Sequence, residues 1–164
     1  MSGRFQSVQT LVKQKPPQRV WTHCMVHRED LASKEISFGL NIVLTMVVTV
    51  VNYIKIRLLK SRIFNALCKD MGAEHSTLQF YCEARWLSRG IFLQRVYELK
   101  EEIVTFLEVE NSPVAEKFRD ALFVMKLSYL VEKLNTLDLQ LQGANTHMLD
   151  TSDKVSAFCR KMKL

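Results

Sequence analysis

The chain contains few of the residues that interrupt helices or cross-link small folds. It has five glycines and three prolines among 164 residues, so long helices can run without breaks. Its cysteines form no C-x-x-C pair, which argues against a disulfide framework. They are Cys24, Cys68, Cys82 and Cys159. Residues 1–20 are polar and basic rather than a cleavable signal, so we expect reduced thiols and a location in the nucleus or the cytoplasm.

Acidic residues are missing from one stretch of the chain. The formal net charge is +6, which suits an acidic partner such as nucleic acid. Between residues 55 and 69 every charged side chain is basic: Lys55, Arg57, Lys60, Arg62 and Lys69. By contrast, most of the charged residues in 98–116 are acidic. Because lysine and arginine neutralise phosphates, we predict the first four of these basic residues as DNA-contact candidates.

Apolar residues recur at helical spacing from about residue 29 onward. The predicted helices cover 38–54, 61–71 with Gly72 as the stop, 87–109, a segment from Pro113 to a stop at Gly143, and a segment from about Asp150. Val20-Trp21-Thr22 reads as a candidate strand, and residues 75–83 are either extended or a loop. The sequence therefore predicts a mainly α fold with at most one or two short strands, whose amphipathic helices bury their apolar stripes against one another.

Four of these helices have predicted apolar stripes; those of 38–54 and of the last helix are Leu40, Val43, Leu44, Val47, Val50, Val51 and Ile54, and Val155, Phe158 and Met162. In 87–109 the stripe is Ile91, Val96, Leu99, Ile103, Phe106 and Leu107. In the following helix it is Leu122, Met125, Leu130, Leu134 and Leu137. Apolar residues at this spacing are most often core, and a partner-binding surface is the alternative.

The segment from Phe38 to Ile54 has the composition of a membrane span. It is short for a bilayer, which needs about 20 apolar residues. Its polar residues also recur at roughly helical spacing, as Asn41, Thr45, Thr49 and Asn52. One polar stripe on an apolar helix favours a buried or half-buried helix over a membrane span.

The motif His23-Cys24-x-x-His27 offers two interpretations. Cys24 and His27 share a helix face and could form half of a zinc site. The other half would have to come from scattered residues: Cys68, His75 or Cys82. A buried cysteine and a hydrogen-bonded histidine at a strand-to-helix junction explain the motif more simply. We therefore treat it as a structural motif and predict no metal and no cofactor.

The pair Arg85-Trp86, with Arg89 one turn on, also has two interpretations. Guanidinium groups can contact phosphates while an indole stacks on an unpaired base. Alternatively, the tryptophan anchors the start of a helix in the core and the arginines are solvated, which the residues by themselves favour.

Together, Thr22–Glu29 and Glu83–Gly90 resemble the core of the hAT superfamily of DNA transposases, in its domesticated, zinc-finger-BED-associated form. The resemblance implies that Cys24 and His27 lie where an RNase H-like domain passes into a helical insertion domain. Residues 1–34 would be the end of the first domain, and residues 35–164 part of the second. It further implies that Trp86, next to Arg85, helps to stabilise distorted DNA beside a transposon end.

The resemblance also implies a catalytic centre of three carboxylates that hold two divalent metals. None of the acids here matches one of those positions, including Asp70, Glu74 and Glu83. The expected positions lie before Met1 and beyond Leu164. The sequence has no glycine-rich phosphate loop and no nucleophile motif. We therefore expect no enzyme activity and no small-molecule substrate.

Three functions follow as expectations. The first is a catalytically inactive interaction or dimerisation remnant, whose surfaces centre on 113–142. The second is a residual nuclear DNA-binding module that uses Arg85, Trp86, Arg89 and the basic stretch. The third is a membrane-associated product anchored through 38–54.

Overall fold

The computed structural model describes residues 36–81, 89–142 and 148–163, and within these ranges it contains seven helices and no strand. They are α1 Phe38–Lys55, α2 Leu58–Asp70, α3 Arg89–Glu98, α4 Lys100–Val109, α5 Val114–Arg119, α6 Ala121–Gln142 and α7 Met148–Met162. The predicted mainly α class is confirmed. The candidate strand at 20–22 and the predicted RNase H-like end, 1–34, lie outside the described residues, as does Gly143.

The longest helix, α6, is the centre of the bundle. Its 22 residues span about 33 Å at 1.5 Å per residue, and it packs against α1, α3, α5 and α7. Its buried apolar residues recur every three or four positions: Phe123, Leu127, Leu130, Leu134 and Leu137. The stripe prediction was wrong for Leu122 and Met125, which are 50% and 61% exposed, because Phe123 and Leu127 occupy the inward positions of those turns.

The crossing of α3 and α6 is close because of Gly90. A Cβ atom there would clash with Asn135 Oδ1 and lie 3.0 Å from Asp138 Oδ2. One turn further on, Asn135 Nδ2 donates to Gln94 Oε1 at 2.9 Å. A side chain at position 90 would therefore displace the side chain of Asn135 and disturb its hydrogen bond to Gln94.

The predicted helix over 87–109 is divided at Leu99 into α3 and α4. Leu99 has φ −95° and ψ 21°, yet its N–H still donates to Arg95 O at 3.1 Å. The division lets α3 pack on α6 while α4 packs on α2 and α5, so tertiary packing overrides the continuous helical pattern. Ile91, predicted in the core, is 52% exposed because Phe92 and Leu93 take the buried positions.

The predicted helix from Pro113 to 142 is also two helices. Asp120 is extended, with ψ 121°, and its Oδ1 accepts the Leu122 N–H at 3.0 Å. An aspartate in this conformation caps the helix that follows it. The sequence carried this signal, an aspartate directly before an apolar helical run, but the long apolar pattern obscured it.

Helix α2 ends at the predicted place but begins earlier than expected. Gly72 has φ 73°, and the N–H groups of Gly72 and Ala73 donate to Lys69 O and Cys68 O at 3.1 and 2.9 Å. This is a Schellman motif, which favours glycine. Ser61, predicted as the cap, lies inside the helix, because α2 already begins at Leu58.

Helix α1 is half-buried. Its inner side contributes six core residues: Leu40, Val43, Val47, Val50, Val51 and Ile54. Of the predicted polar stripe, Asn41, Thr45 and Thr49 are exposed and Asn52 is half-buried. By length and composition α1 could cross a membrane, but here one side of it belongs to the core of the bundle.

Candidate functional site

Four predicted DNA-contact residues surround the turn between α1 and α2. Lys55 ends α1, Arg57 precedes α2, and Lys60 and Arg62 lie in its first two turns. The structure gives these four cations different surroundings, so they are not equally available to a ligand.

Lys60 is committed to an ion pair. Its Nζ contacts Glu110 Oε2 and the Tyr53 hydroxyl, and that hydroxyl donates to Glu110 Oε2 at 2.7 Å. The hydrogen bond from Lys60, followed by that from Tyr53, holds the pKa of Glu110 below its usual value. The same bond to Glu110 raises the pKa of Lys60. A phosphate would have to displace Glu110 to reach this ammonium group.

Lys55 is held by the segment before α3. Its Nζ donates to Leu78 O at 2.6 Å and lies 4.6 Å from the centroid of the Phe80 ring. Burial lowers the pKa of Lys55. This lysine therefore ties the end of α1 to residues 78–80.

The two arginines are exposed. The Arg57 guanidinium lies 5.7 Å from the Tyr53 ring centroid, and Arg62 faces outward from α2. Lys69, two helical turns after Arg62, is also exposed. These three residues carry the available positive charge around α2.

Apolar residues that the sequence analysis missed lie beside these cations. Leu58, Leu59 and Ile63 are 75%, 71% and 46% exposed. The exposed side of α2, which we call the α2 face, consists of Leu58, Leu59, Arg62, Ile63, Ala66, Lys69 and Asp70. The signal in the sequence was a short helix with apolar residues on both of its sides. In the structure, Phe64 and Cys68 are its only buried residues.

The remaining DNA-contact candidates are elsewhere. Arg89 is 4% exposed and its guanidinium lies 5.6 Å from the Tyr81 ring centroid. A guanidinium in this interior position offers little surface to a phosphate. The DNA contact of Arg89 stays a prediction. Arg85 and Trp86 lie outside the described residues.

A second surface lies on the outer side of α1. It is an open groove of about 510 Å³, which we call the α1 groove. It is lined by Phe38, Asn41, Ile42, Thr45, Met46, Thr49, Val50 and Val114. None of these side chains is charged. Phe38 and Ile42, at 82% and 45% exposure, are its most prominent apolar groups.

The described residues do not assemble a metal site. No group of three or more His, Cys, Asp and Glu side chains that could hold an ion occurs among them. Burial raises the pKa of Cys68 to about 11, so its thiol stays protonated and unreactive at neutral pH. His75, one of the scattered residues considered for a zinc site, lies with its Nε2 3.7 Å from Glu98 Oε2. The motif His23, Cys24 and His27 lies outside the described residues.

Comparison with known proteins places this bundle in a family. A family model described as the FAM200/GTF2IRD2 helical domain matches residues 23–164. General transcription factor II-I repeat domain-containing protein 2 from Bos taurus is 31% identical over 144 residues, which are 86% of this chain. The chain spans 15% of the length of that relative. No solved structure matches. The chain belongs to the FAM200/GTF2IRD2 helical domain family.

Proposed function

We propose that the chain is a catalytically inactive helical module of a domesticated hAT-type, BED-associated transposase, and that it associates with a second copy through the α1 groove. The Cys24–His27 and Arg85-Trp86 motifs support the transposase origin. None of the carboxylates in residues 1–164 matches a catalytic position of that family, so the proposal assigns this helical module a role in association. The relative's name as a general transcription factor repeat protein supports a nuclear location.

The observation that carries self-association is the neutrality of the groove. In a two-fold dimer the same patch meets itself, so a patch whose charges are all of one sign would meet charges of that same sign. The α1 groove has apolar side chains flanked by Asn41, Thr45 and Thr49. Amide and hydroxyl groups can both donate and accept, so they can pair across a two-fold axis. Val114 belongs to this surface, within the predicted interaction region 113–142.

Sedimentation velocity over a range of concentrations tests this proposal. Ile42→Asp introduces charge into the groove, and we expect the dimer dissociation constant to rise at least about tenfold, equivalent to about 1.4 kcal/mol. Leu139→Asp is the matched control, because Leu139 is an exposed leucine on α6 that does not line the groove. A chain that stays monomeric at every concentration would contradict the proposal. Equal dissociation of the two variants would also contradict it.

A second candidate function is nuclear DNA binding, favoured by Arg57 and Arg62 around the α1–α2 turn and by Phe80, a 53% exposed ring. Affinity for flapped duplex DNA should fall steeply with salt. The logarithm of the binding constant, plotted against the logarithm of the salt concentration, has a slope of about −0.9 for each phosphate contact. The proposed contact between Trp86 and distorted DNA is tested by anisotropy titrations of the Trp86→Ala variant. Equal binding by the variant would remove Trp86 from the DNA interface.

A further inference from the structure

The α2 face is apolar along its centre. Leu59, Ile63 and Ala66 follow at intervals of four and three residues, so they form one stripe about two turns long. Leu59 and Ile63 are 71% and 46% exposed, and Ala66 is exposed as well. Contiguous exposed aliphatic surface is a feature of many protein interaction sites.

A row of positive charge runs beside this stripe. Arg62 and Lys69 are seven residues apart, which places both on the same edge of α2. Both are exposed, and neither forms an ion pair within the part of the chain that the structure describes. Within α2 the only acid is Asp70, which follows Ala66 by four residues and so lies at the end of the stripe. On the opposite edge, Glu110 is already occupied by Lys60.

We propose that the α2 face binds an amphipathic helix of a partner protein that carries acidic residues beside its apolar stripe. A stripe with spacings of three and four residues matches the apolar positions of a second helix, which would anchor at i, i+3 or i+4, and i+7. Glutamates or aspartates flanking those anchors would meet Arg62 and Lys69.

Two other occupants fit less well. A second copy of this chain would bring two cations and one acid, Asp70, against the same set, so positive charge would exceed negative charge across a two-fold interface. A nucleic acid would satisfy the cations with phosphates, but it would leave the stripe from Leu59 to Ala66 without an aliphatic counterpart. This partner site goes beyond self-association, and it uses a different helix face from the α1 groove.

Fluorescence anisotropy with the full chain tests the proposal. The probe is a labelled designed peptide about three heptads long, with leucines on one face and glutamates on both flanks. A second peptide has lysine at every glutamate position. We expect only the acidic peptide to bind, and its amide shift perturbations in the protein's nuclear magnetic resonance spectrum to centre on residues 58–69.

Two variants separate the apolar and the charged contributions. Leu59→Asp and the double variant Arg62→Glu/Lys69→Glu should each weaken binding of the acidic peptide at least about tenfold, or about 1.4 kcal/mol. The matched controls are Leu139→Asp and Lys117→Glu, which change exposed residues on α6 and α5 and should bind as the wild type does. Ile42→Asp should also bind normally, so a failure of self-association leaves this test intact.

Several results would overturn the proposal. One is equal affinity for the acidic peptide and its lysine counterpart, and another is a set of shift perturbations centred away from α2. A labelled single-stranded or duplex DNA that loses affinity with Arg62→Glu/Lys69→Glu, while Leu59→Asp has no effect on any probe, would assign the face to nucleic acid instead.

Discussion

Helices α1 and α2 are joined by a two-residue turn. They differ in the charge of their outer surfaces and in the number of buried side chains that hold each helix in the bundle. The α1 groove is neutral, and α1 rests on six buried side chains. The α2 face carries Arg62 and Lys69, and α2 buries only Phe64 and Cys68. A neutral surface can meet a copy of itself, whereas a cationic one needs an acidic partner. Neighbouring helices of one bundle can therefore serve different kinds of recognition.

The largest expected effect comes from removing the main support of the α2 face. Phe64 is 2% exposed and packs edge-on against Phe106, with ring centroids 5.7 Å apart. Phe64→Ala should lower the free energy of unfolding by about 3–5 kcal/mol, because it leaves a cavity between α2 and α4. Urea unfolding followed by circular dichroism measures this. Amide exchange should rise more in α2 than in α1, and an equal rise in both would contradict the difference in support.

The end of α2 offers a smaller perturbation. Gly72 has φ 73° and no atom near the position of a Cβ, so Gly72→Ala adds backbone strain without a clash. We expect a loss of about 1–2 kcal/mol in the free energy of unfolding. The loss should appear in urea titrations, and amide exchange should place it in the last turn of α2. A variant as stable as the wild type would show that the Schellman motif contributes little.

Freeing Lys60 should sharpen the contrast in charge. Glu110→Gln removes the carboxylate that now pairs with Lys60, so the margin of α2 gains one available cation. Affinity for the acidic peptide should rise about two- to threefold, as one exposed charge contributes less than about 1 kcal/mol. Self-association through the α1 groove should not change. Anisotropy and sedimentation on the same variant measure the two effects.

The same substitution should alter acid stability. The pKa of Glu110 is depressed mainly by the hydrogen bond from Lys60. A depressed folded pKa stabilises the fold above the unfolded pKa of about 4.3, and the contribution is lost as the pH falls through the folded pKa. Between about pH 7 and about pH 3 the wild type should therefore lose slightly more thermal stability than Glu110→Gln. Parallel melts at both pH values test this, and identical losses would show that the pair is too solvated to matter.

The sequence predicted the helices well where one apolar stripe decided the structure. Helix α1, the stop at Gly72 and the inward positions Leu130 and Leu134 follow from spacing and turn chemistry. The divisions at Leu99 and Asp120 did not, because an apolar pattern continues through both and tertiary packing decides where the helix breaks.

The candidate site was predicted only in part. Composition identified the basic stretch, but it could not show that Glu110, 50 residues from Lys60, would neutralise that lysine. Nor could it show that Leu78 would hold Lys55. The α2 face was missed because its leucines read as core, and their exposure depends on which neighbours α2 finds. The roles of Arg85 and Trp86 remain predictions from the family resemblance.

The difference between the two surfaces can be tested most directly by sedimentation velocity of the wild-type chain in low and high salt. Apolar association through the α1 groove should persist or strengthen as salt rises, since salt screens charge but not apolar burial. We expect a concentration-dependent dimer whose dissociation constant is unchanged or lower in high salt. A dimer that dissociates as salt rises would mean that charged surfaces hold the copies together. In that case the α1 groove would not be the surface of self-association.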